Sequence, residues 1–291
     1  MSRSPKIAII GGGCGPCVNR PPVLLLIFCL FLLFVIRHST HVVKIETKNE
    51  RNYDATYWEF QKPMNQFGAS FKGDILRQLI PVDARSILEF GCSGGYILSG
   101  LPSELEKHCI EINPEAARHA ETLGSLKGHV HARLPKNLKV DVIYSTSVLE
   151  HVDCPLCELS KLRLALNSAG VLLIGIKNDG LDPSQTFSKF HHEPNHHIYT
   201  WNELLLSNLI ESAGFIPCDT IGQWDAWHHP LTIDHYESDK HAYCKKGLQV
   251  GKEQRVYNIW SAAVLPGDEH LCQGLKAELS RLKQCEYLEA R

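Results

Sequence analysis

Two acids and a run of small residues set the chemistry open to this chain. In Ser86-Ile-Leu-Glu-Phe-Gly-Cys-Ser-Gly-Gly-Tyr96 an apolar run ends in an acid and turns through glycines into a second apolar segment. Glu89, Gly91, Ser93 and Gly95 follow an acid-x-Gly-x-Gly-x-Gly spacing, with serine at the middle glycine and Cys92 inside the turn. A strand, a tight turn and a helix start of this kind bring backbone N–H groups up to a ligand at the C-terminal edge of a sheet. About twenty residues further on, Glu111 in His108-Cys-Ile-Glu-Ile-Asn113 ends another apolar run, where an acid can accept both hydroxyls of a ribose.

Histidines supply the candidate bases. His151 follows the apolar run 140–144, and His191, His192, His196 and His197 crowd a segment with Tyr199. An imidazole there can take a proton from an acceptor hydroxyl, or the histidines can simply face solvent. His192-Glu-Pro-Asn-His196 has the letters of a zinc-protease helix, but Pro194 would break the helix that puts both histidines on one face. Ile7-Ala-Ile-Ile-Gly-Gly-Gly-Cys-Gly-Pro16 opens like a dinucleotide fold and fails at Pro16, with no βαβ unit after it. Cys154-Pro-Leu-Cys157 stands at a helix start, which lowers a thiol pKa, without a thioredoxin-like pattern around it. Trp224, Trp227, His228 and His229 suggest either a stacking wall or ordinary packing.

The elements that position these residues follow from periodicity. Phe67, Phe71, Ile75, Leu76, Leu79 and Ile80 recur at helical spacing up to Pro81. Strands are predicted at 86–90, 107–112, 140–144, 170–176, 215–221 and 256–265. A helix begins with Asn113 as N-cap and Pro114 in its first turn, another spans 154–167, and Thr200-Trp-Asn-Glu203 matches a capping box before a helix ending at Gly214. Alternating strands and helices predict an α/β fold, a doubly wound, mostly parallel seven-stranded Rossmann-like sheet whose last two strands can pair antiparallel. Residues 267–291 form a charged helix with Leu271, Leu275, Leu279 and Leu282 on one side.

One segment is not globular. Val23 to Ile36 carries no charge, lies between Arg20 and Arg37, and as a helix spans roughly 21 Å, short of the ~30 Å hydrocarbon core. Its flanks extend it toward a transmembrane anchor. A cleaved signal peptide is the alternative, although no small-x-small cleavage pattern follows Ile36. Basic residues on both sides leave the orientation open. Eleven cysteines invite a disulfide framework, yet Cys92 sits inside the Gly-rich turn, Cys109 in an apolar strand reads as a small buried thiol, and no Asn-x-Ser/Thr sequon occurs. The net charge of −2 shows no electrostatic footprint for nucleic acid, and no nucleic-acid partner is expected.

Taken in order, the Glu89–Gly95 loop, Glu111 with Ile112, the stretch from Asp141 to Ser-Val-Leu-Glu-His-Val152, and Asn195-His-His-Ile-Tyr-Thr-Trp201 resemble the class I S-adenosylmethionine-dependent methyltransferases, closest to the small-molecule and glycan-modifying subgroup. The resemblance implies S-adenosyl-L-methionine as cofactor. Glu89 and the backbone of Gly91, Cys92, Ser93 and Gly95 would hold its methionine part, Glu111 its ribose, and Ile112 its adenine. Ser145 to His151 would border the sulfonium. His151, then His192 or His196, would be the base that activates an oxygen or nitrogen of a small molecule or glycan. The family's acid near adenine is absent, with His129-Val-His-Ala-Arg-Leu134 in its region. Where some relatives have a metal-binding Glu-x-x-Glu-His, this chain has Ser147-Val-Leu-Glu150-His151, so no metal is assigned. The implied organisation is an N-terminal segment 1–20, an anchor 21–43, a linker 44–66, a methyltransferase domain 67–265 and a C-terminal helix 266–291, in a single-pass protein of the ER/Golgi endomembranes. Two other functions stand beside this one: a membrane-tethered scaffold that binds cofactor weakly, and a metal-dependent hydrolase built on the histidine loop.

Overall fold

A computed structural model describes residues 53–178, 197–225, 233–283 and 285–286 of the 291-residue chain. The expected anchor at 21–43 lies outside these residues, and among the described residues no helix is long and apolar enough to cross a membrane. Contacts gather residues 46–291 into one compact unit.

The strands are β1 (Ser86–Phe90), β2 (Glu106–Ile110), β3 (Val130–His131), β4 (Val140–Thr146), β5 (Leu166–Lys177), β6 (Ile216–Trp224) and β7 (Tyr257–Val264). They form a sheet in the order β3-β2-β1-β4-β5-β7-β6. β1 to β5 run parallel, while β7 is antiparallel to both β5 and β6. The sheet is therefore mixed, and the expected antiparallel pair extends to a second interface. The chain leaves β1 toward β2 and β3, then returns to place β4 on the other side of β1. That reversal opens a crevice beyond the C-terminal ends of β1 and β4, the place where doubly wound sheets hold ligands.

Strand residues alternate between the two faces, so each face builds its own core. Ile87, Val142, Tyr144, Val171 and Leu173 pack with Phe71, Ile75, Leu76 and Leu79 of helix α1 (Ala55–Leu79). On the other face Leu88, Ile143, Leu172 and Ile174 pack with Leu159 and Leu162 of α4 (Pro155–Ala165), and with Leu206 and Ile210 of α5 (Glu203–Ser212). Helix α1 begins well before Phe67, because Asp54 caps it by accepting a hydrogen bond from Tyr57 N at 3.0 Å. Two short helices, α2 (Tyr96–Gly100) and α3 (Pro114–Thr122), follow β1 and β2. Asn113 caps α3 as its sequence demands, accepting from Glu115 N and Ala116 N.

Three local expectations change. The N-cap of α5 is Asn202, which accepts from Leu205 N, so Thr200 of the capping-box match stands outside the helix. Helices α6 (Ile233–Ser238) and α7 (Lys240–Gln254) fill the connection between β6 and β7, where the sequence shows no convincing helix. Gly251 lies where α7 meets the end of β6, and a Cβ there would stand 2.4 Å from Asp225 N. Helix α8 (Cys272–Leu282) buries Leu275, Leu279 and Leu282.

The cysteines also differ from the thiol reading. Four disulfides join Cys92 to Cys109, Cys154 to Cys157, Cys218 to Cys272, and Cys244 to Cys285. The last two fix the start of α8 to β6 and the residues just past its end to α7.

Candidate active site

The crevice beyond β1 and β4 is a cavity of about 390 Å³. Glu89, Gly91, Cys92, Ser93, Glu111, Ile112 and His151 all line it, so the two acids singled out in the sequence face one open space. Each strand delivers its residues at its C-terminal end: β1 brings Glu89 and Phe90, β2 leads into Glu111, β4 ends at Thr146, and β5 brings Gly175 to Lys177. Helix α1 covers the cavity with Tyr57, Trp58, Asn65 and Lys72.

Backbone geometry explains the small residues of the loop. Gly91 has φ +80°, and a Cβ there would come within 2.3 Å of Val148 Cγ2. Only glycine meets both conditions. Ser93 takes φ +49°, a left-handed conformation that costs a non-glycine residue about 1 kcal/mol. Its Oγ accepts a hydrogen bond from Asn65 Nδ2 at 2.8 Å, tying the turn to α1. Gly95 caps α2 at φ +75° but does not line the cavity. Its role is to support the turn.

The two acids differ in environment. Glu111 Oε2 accepts from Ser93 N at 2.7 Å and Oε1 from Asn113 N at 2.8 Å. Each oxygen keeps a lone pair for a further donor. Burial raises the Glu111 carboxyl above its ordinary range, and these backbone donors act against the rise. Glu89 is 2 % exposed, and its Oε2 has no hydrogen-bond partner. Register sets it beside Tyr144 on β4. Burial pushes the Glu89 carboxyl up to about 8; the adjacent Tyr144 hydroxyl and the Lys72 ammonium pull it down, and Glu111 pushes it further up. The Tyr144 hydroxyl also falls outside good hydrogen-bond geometry, so it acts on Glu89 by proximity. A buried carboxylate oxygen with an open lone pair in a cavity is a ready acceptor for a cationic N–H group.

Lys72 escaped the sequence reading. Burial lowers its pKa, while Glu150, Glu89 and Asp225 draw it back up. Its signal was present: at positions 68, 71, 72, 75, 76 and 79 of α1, a lysine occupies the stripe that faces the core.

A second group of titratable side chains also lines the cavity. The Glu150 carbonyl accepts from Ile198 N at 2.8 Å and from Tyr199 N at 3.3 Å, and Tyr199 donates to Asp153 O at 2.9 Å. This clamp lays segment 197–199 along segment 150–153. It sets the His197 ring 4.7 Å from that of His151, with the Tyr53 ring 6.0 Å away on another side. Glu150 is buried beside them, and one ligand-type atom from each of Glu150, His151 and His197 lies within 4.8 Å of the others. The cavity thus carries an imidazole pair and a carboxylate besides Glu89 and Glu111, with Glu150 and Glu89 both near Lys72.

The other expected site residues take varied places. Ser145 does not line the cavity; its hydroxyl donates to Phe90 O at 2.9 Å and ties β4 to β1. The Cys92 side chain is bonded to Cys109 and joins the core, leaving only the Cys92 backbone for the loop. Ile112 is 56 % exposed, an apolar side chain held at the cavity wall without protein to cover it. None of residues 129–134 lines the cavity. His192, His196, Trp227, His228 and His229 lie outside the described residues.

Comparison with known proteins agrees with this architecture. A family model described as a methyltransferase domain matches residues 57–217. The tRNA U34 carboxymethyltransferase of Shewanella sediminis is 29 % identical over 132 residues, 40 % of this chain and 40 % of that protein. The enzyme of the same name from Haemophilus influenzae is 25 % identical over 215 residues, 64 % of this chain and 66 % of its own length. A Haloferax volcanii methyltransferase, solved in complex with the Trm112 methyltransferase activator, shares the fold at a TM-score of 0.50 and 13 % identity, over 72 % of this chain and 95 % of that one. Two expectations fall here. Relatives named for tRNA modification remove the ground for expecting no nucleic-acid partner. The assignment to ER/Golgi membranes falls as well, since the tRNA-modifying relatives are proteins of bacteria, which have no such membranes.

Proposed function

The chain belongs to the methyltransferase-domain family, and from that premise we propose that this S-adenosylmethionine-dependent methyltransferase moves a methyl group to an oxygen or nitrogen of a small polar molecule or glycan, with His151 as base. The observation that carries the reading is the pairing of Glu89 and Glu111 at the wall of one cavity, with the Glu89 carboxyl buried and its Oε2 without a hydrogen-bond partner.

The residues fit the cofactor part by part. Glu89 and Lys72 offer a carboxylate and an ammonium to the amino and carboxylate groups of a methionine moiety. The turn at Gly91 allows the backbone to approach closely, and Glu111 has lone pairs left for two ribose hydroxyls. Ile112 and Trp58 offer apolar surface to an adenine. When bound, S-adenosylmethionine supplies an electrophilic methyl on a sulfonium cation. Positioning and exclusion of water by α1 do most of the work in such a displacement. His151 takes the proton of a hydroxyl acceptor on an imidazole nitrogen, with the His197 and Tyr53 rings packed edge-on against it. General-base assistance of this kind is worth roughly 10²–10⁴-fold.

A second reading, RNA as acceptor, is favoured by the similarity to tRNA-modifying enzymes. One experiment separates the two. The full chain is incubated with methyl-labelled cofactor and with small-metabolite, glycan and RNA fractions. Label in the first two supports the leading reading, and label confined to RNA replaces it with the second. Absence of calorimetric heat with either S-adenosylmethionine or its demethylated product sinks both.

A further inference from the structure

A second cluster of titratable side chains lies away from the cavity, on the edge of the sheet. β2 and β3 pair with Cys109 opposite Val130 and Ile110 opposite His131, so His108 comes opposite His129, whose carbonyl accepts from Cys109 N at 3.0 Å. Cys109 turns into the core. By alternation Glu106, His108, His129 and His131 share the opposite face. There His108 Nδ1 and His129 Nδ1 stand 3.3 Å apart. Glu106 Oε1 lies 3.0 Å from His108 Nε2 and 4.0 Å from His129 Nδ1. The His131 ring stacks 5.8 Å from that of His108, 19° from parallel.

Imidazole nitrogens that face each other at this distance can converge on a single ion. Ligand atoms about 2.0–2.1 Å from a tetrahedral zinc ion are about 3.3 Å from one another, which is the separation of the two Nδ1 atoms here.

We propose that Glu106, His108 and His129 form a binding site for a divalent transition-metal ion of the zinc class, each giving one ligand atom, with the three atoms within 4.8 Å of one another. Two imidazoles and a carboxylate suit zinc, nickel or copper and are unsuited to magnesium or calcium, which take oxygen ligands. The Glu106 side chain is 60 % exposed; its carboxylate now faces His108 Nε2, and a swing on the order of 1 Å or more toward the two Nδ1 atoms brings it into the set, leaving the fourth position to water. The site braces the cofactor wall from outside. β3 has only two residues, and the His131 carbonyl accepts from Glu111 N at 2.9 Å, so an ion clamping β3 to β2 also steadies the strand that presents Glu111. The inference does not depend on the methyl-transfer reading.

The test uses the full chain, stripped with a chelator and titrated with Co²⁺, followed by visible absorption, and with Zn²⁺ by equilibrium dialysis. One ion per chain is expected at this site, with affinity reduced roughly 100-fold or more in His129→Ala and roughly 10- to 100-fold in Glu106→Gln. Both side chains are partly exposed, so both variants should fold; Zn²⁺ should raise the melting temperature of the native chain and not of the variants. His151→Ala is the control, because Glu150, His151 and His197 form the other candidate cluster among the described residues. The proposal is overturned if the ion persists in His129→Ala and Glu106→Gln, if it is lost in His151→Ala, or if no ion binds.

Discussion

Replacing Glu89 by glutamine tests the electrostatics of the cavity most directly. In the folded chain its carboxyl titrates at about 8, against 4.5 for the ordinary group. Between these values the folded state keeps a proton that the unfolded state has released. Stability therefore declines as pH rises from about 4.5, by up to about 1.4 kcal/mol per pH unit, and levels off above about 8. The full span corresponds to at most about 5 kcal/mol. Glu89→Gln removes this slope, so the variant should gain on the native chain steadily between pH 5 and 8. It should also lose cofactor binding, because the amide cannot carry the charge that a cationic amino group needs. The same linkage predicts that the native chain releases a proton on binding and binds more tightly as pH approaches 8. Urea denaturation from pH 5 to 8 measures the first effect, and calorimetry in buffers of different ionisation enthalpy measures the second. Identical pH slopes in the two proteins, or cofactor binding without proton release, would refute the reasoning.

Other substitutions probe the remaining parts. Gly91→Ala should cost about 2 kcal/mol or more in denaturant midpoint and abolish cofactor binding, since the added methyl meets Val148 and φ is positive. Adding Val148→Ala should restore part of the stability. His151→Ala should lower kcat by about 100-fold or more while leaving the cofactor Kd unchanged, which single-turnover kinetics and calorimetry can separate. Near-native turnover would remove His151 from the mechanism. Replacing Cys218 and Cys272 by serine opens a crosslink with a sequence separation of 54 and should cost about 4 kcal/mol in a chemical denaturation series.

Most of the sheet was legible because buried strands are short apolar runs between turn residues, and 86–90, 140–144 and 170–176 have little else to become. β3 was not, because two residues of moderate burial carry no periodic signal. The α6–α7 pair escaped because its buried face is made of Tyr243, Cys244, Gly247, Val250 and Gly251, two of them glycines that packing requires and propensity opposes. In the site, Glu89 and Glu111 were legible because acid-at-strand-end is a local pattern. Asp225 was not, since only tertiary packing brings it to the cavity, and Lys72 showed only as a lysine within the core-facing stripe of α1. Ser145 was placed beside the sulfonium by the family resemblance, and its hydrogen bond to Phe90 O ties it to β1 instead. The long-range disulfides lie beyond any local pattern, because cysteine spacing does not determine partners.

The insertion of β7 between β5 and β6 has a consequence for how the protein is made. A chain emerging from the ribosome has β5 as an open edge and β6 without a neighbour until residues 257–264 arrive to pair with both. Those same residues bring Asn258 and Trp260 to the cavity wall. The C-terminal third therefore waits on a non-local closure, the slow kind of event in sheet assembly, and the nascent intermediate displays an unprotected strand edge. Cofactor occupancy reports that this closure has happened, which makes ligand retention a measure of complete maturation as well as of chemistry.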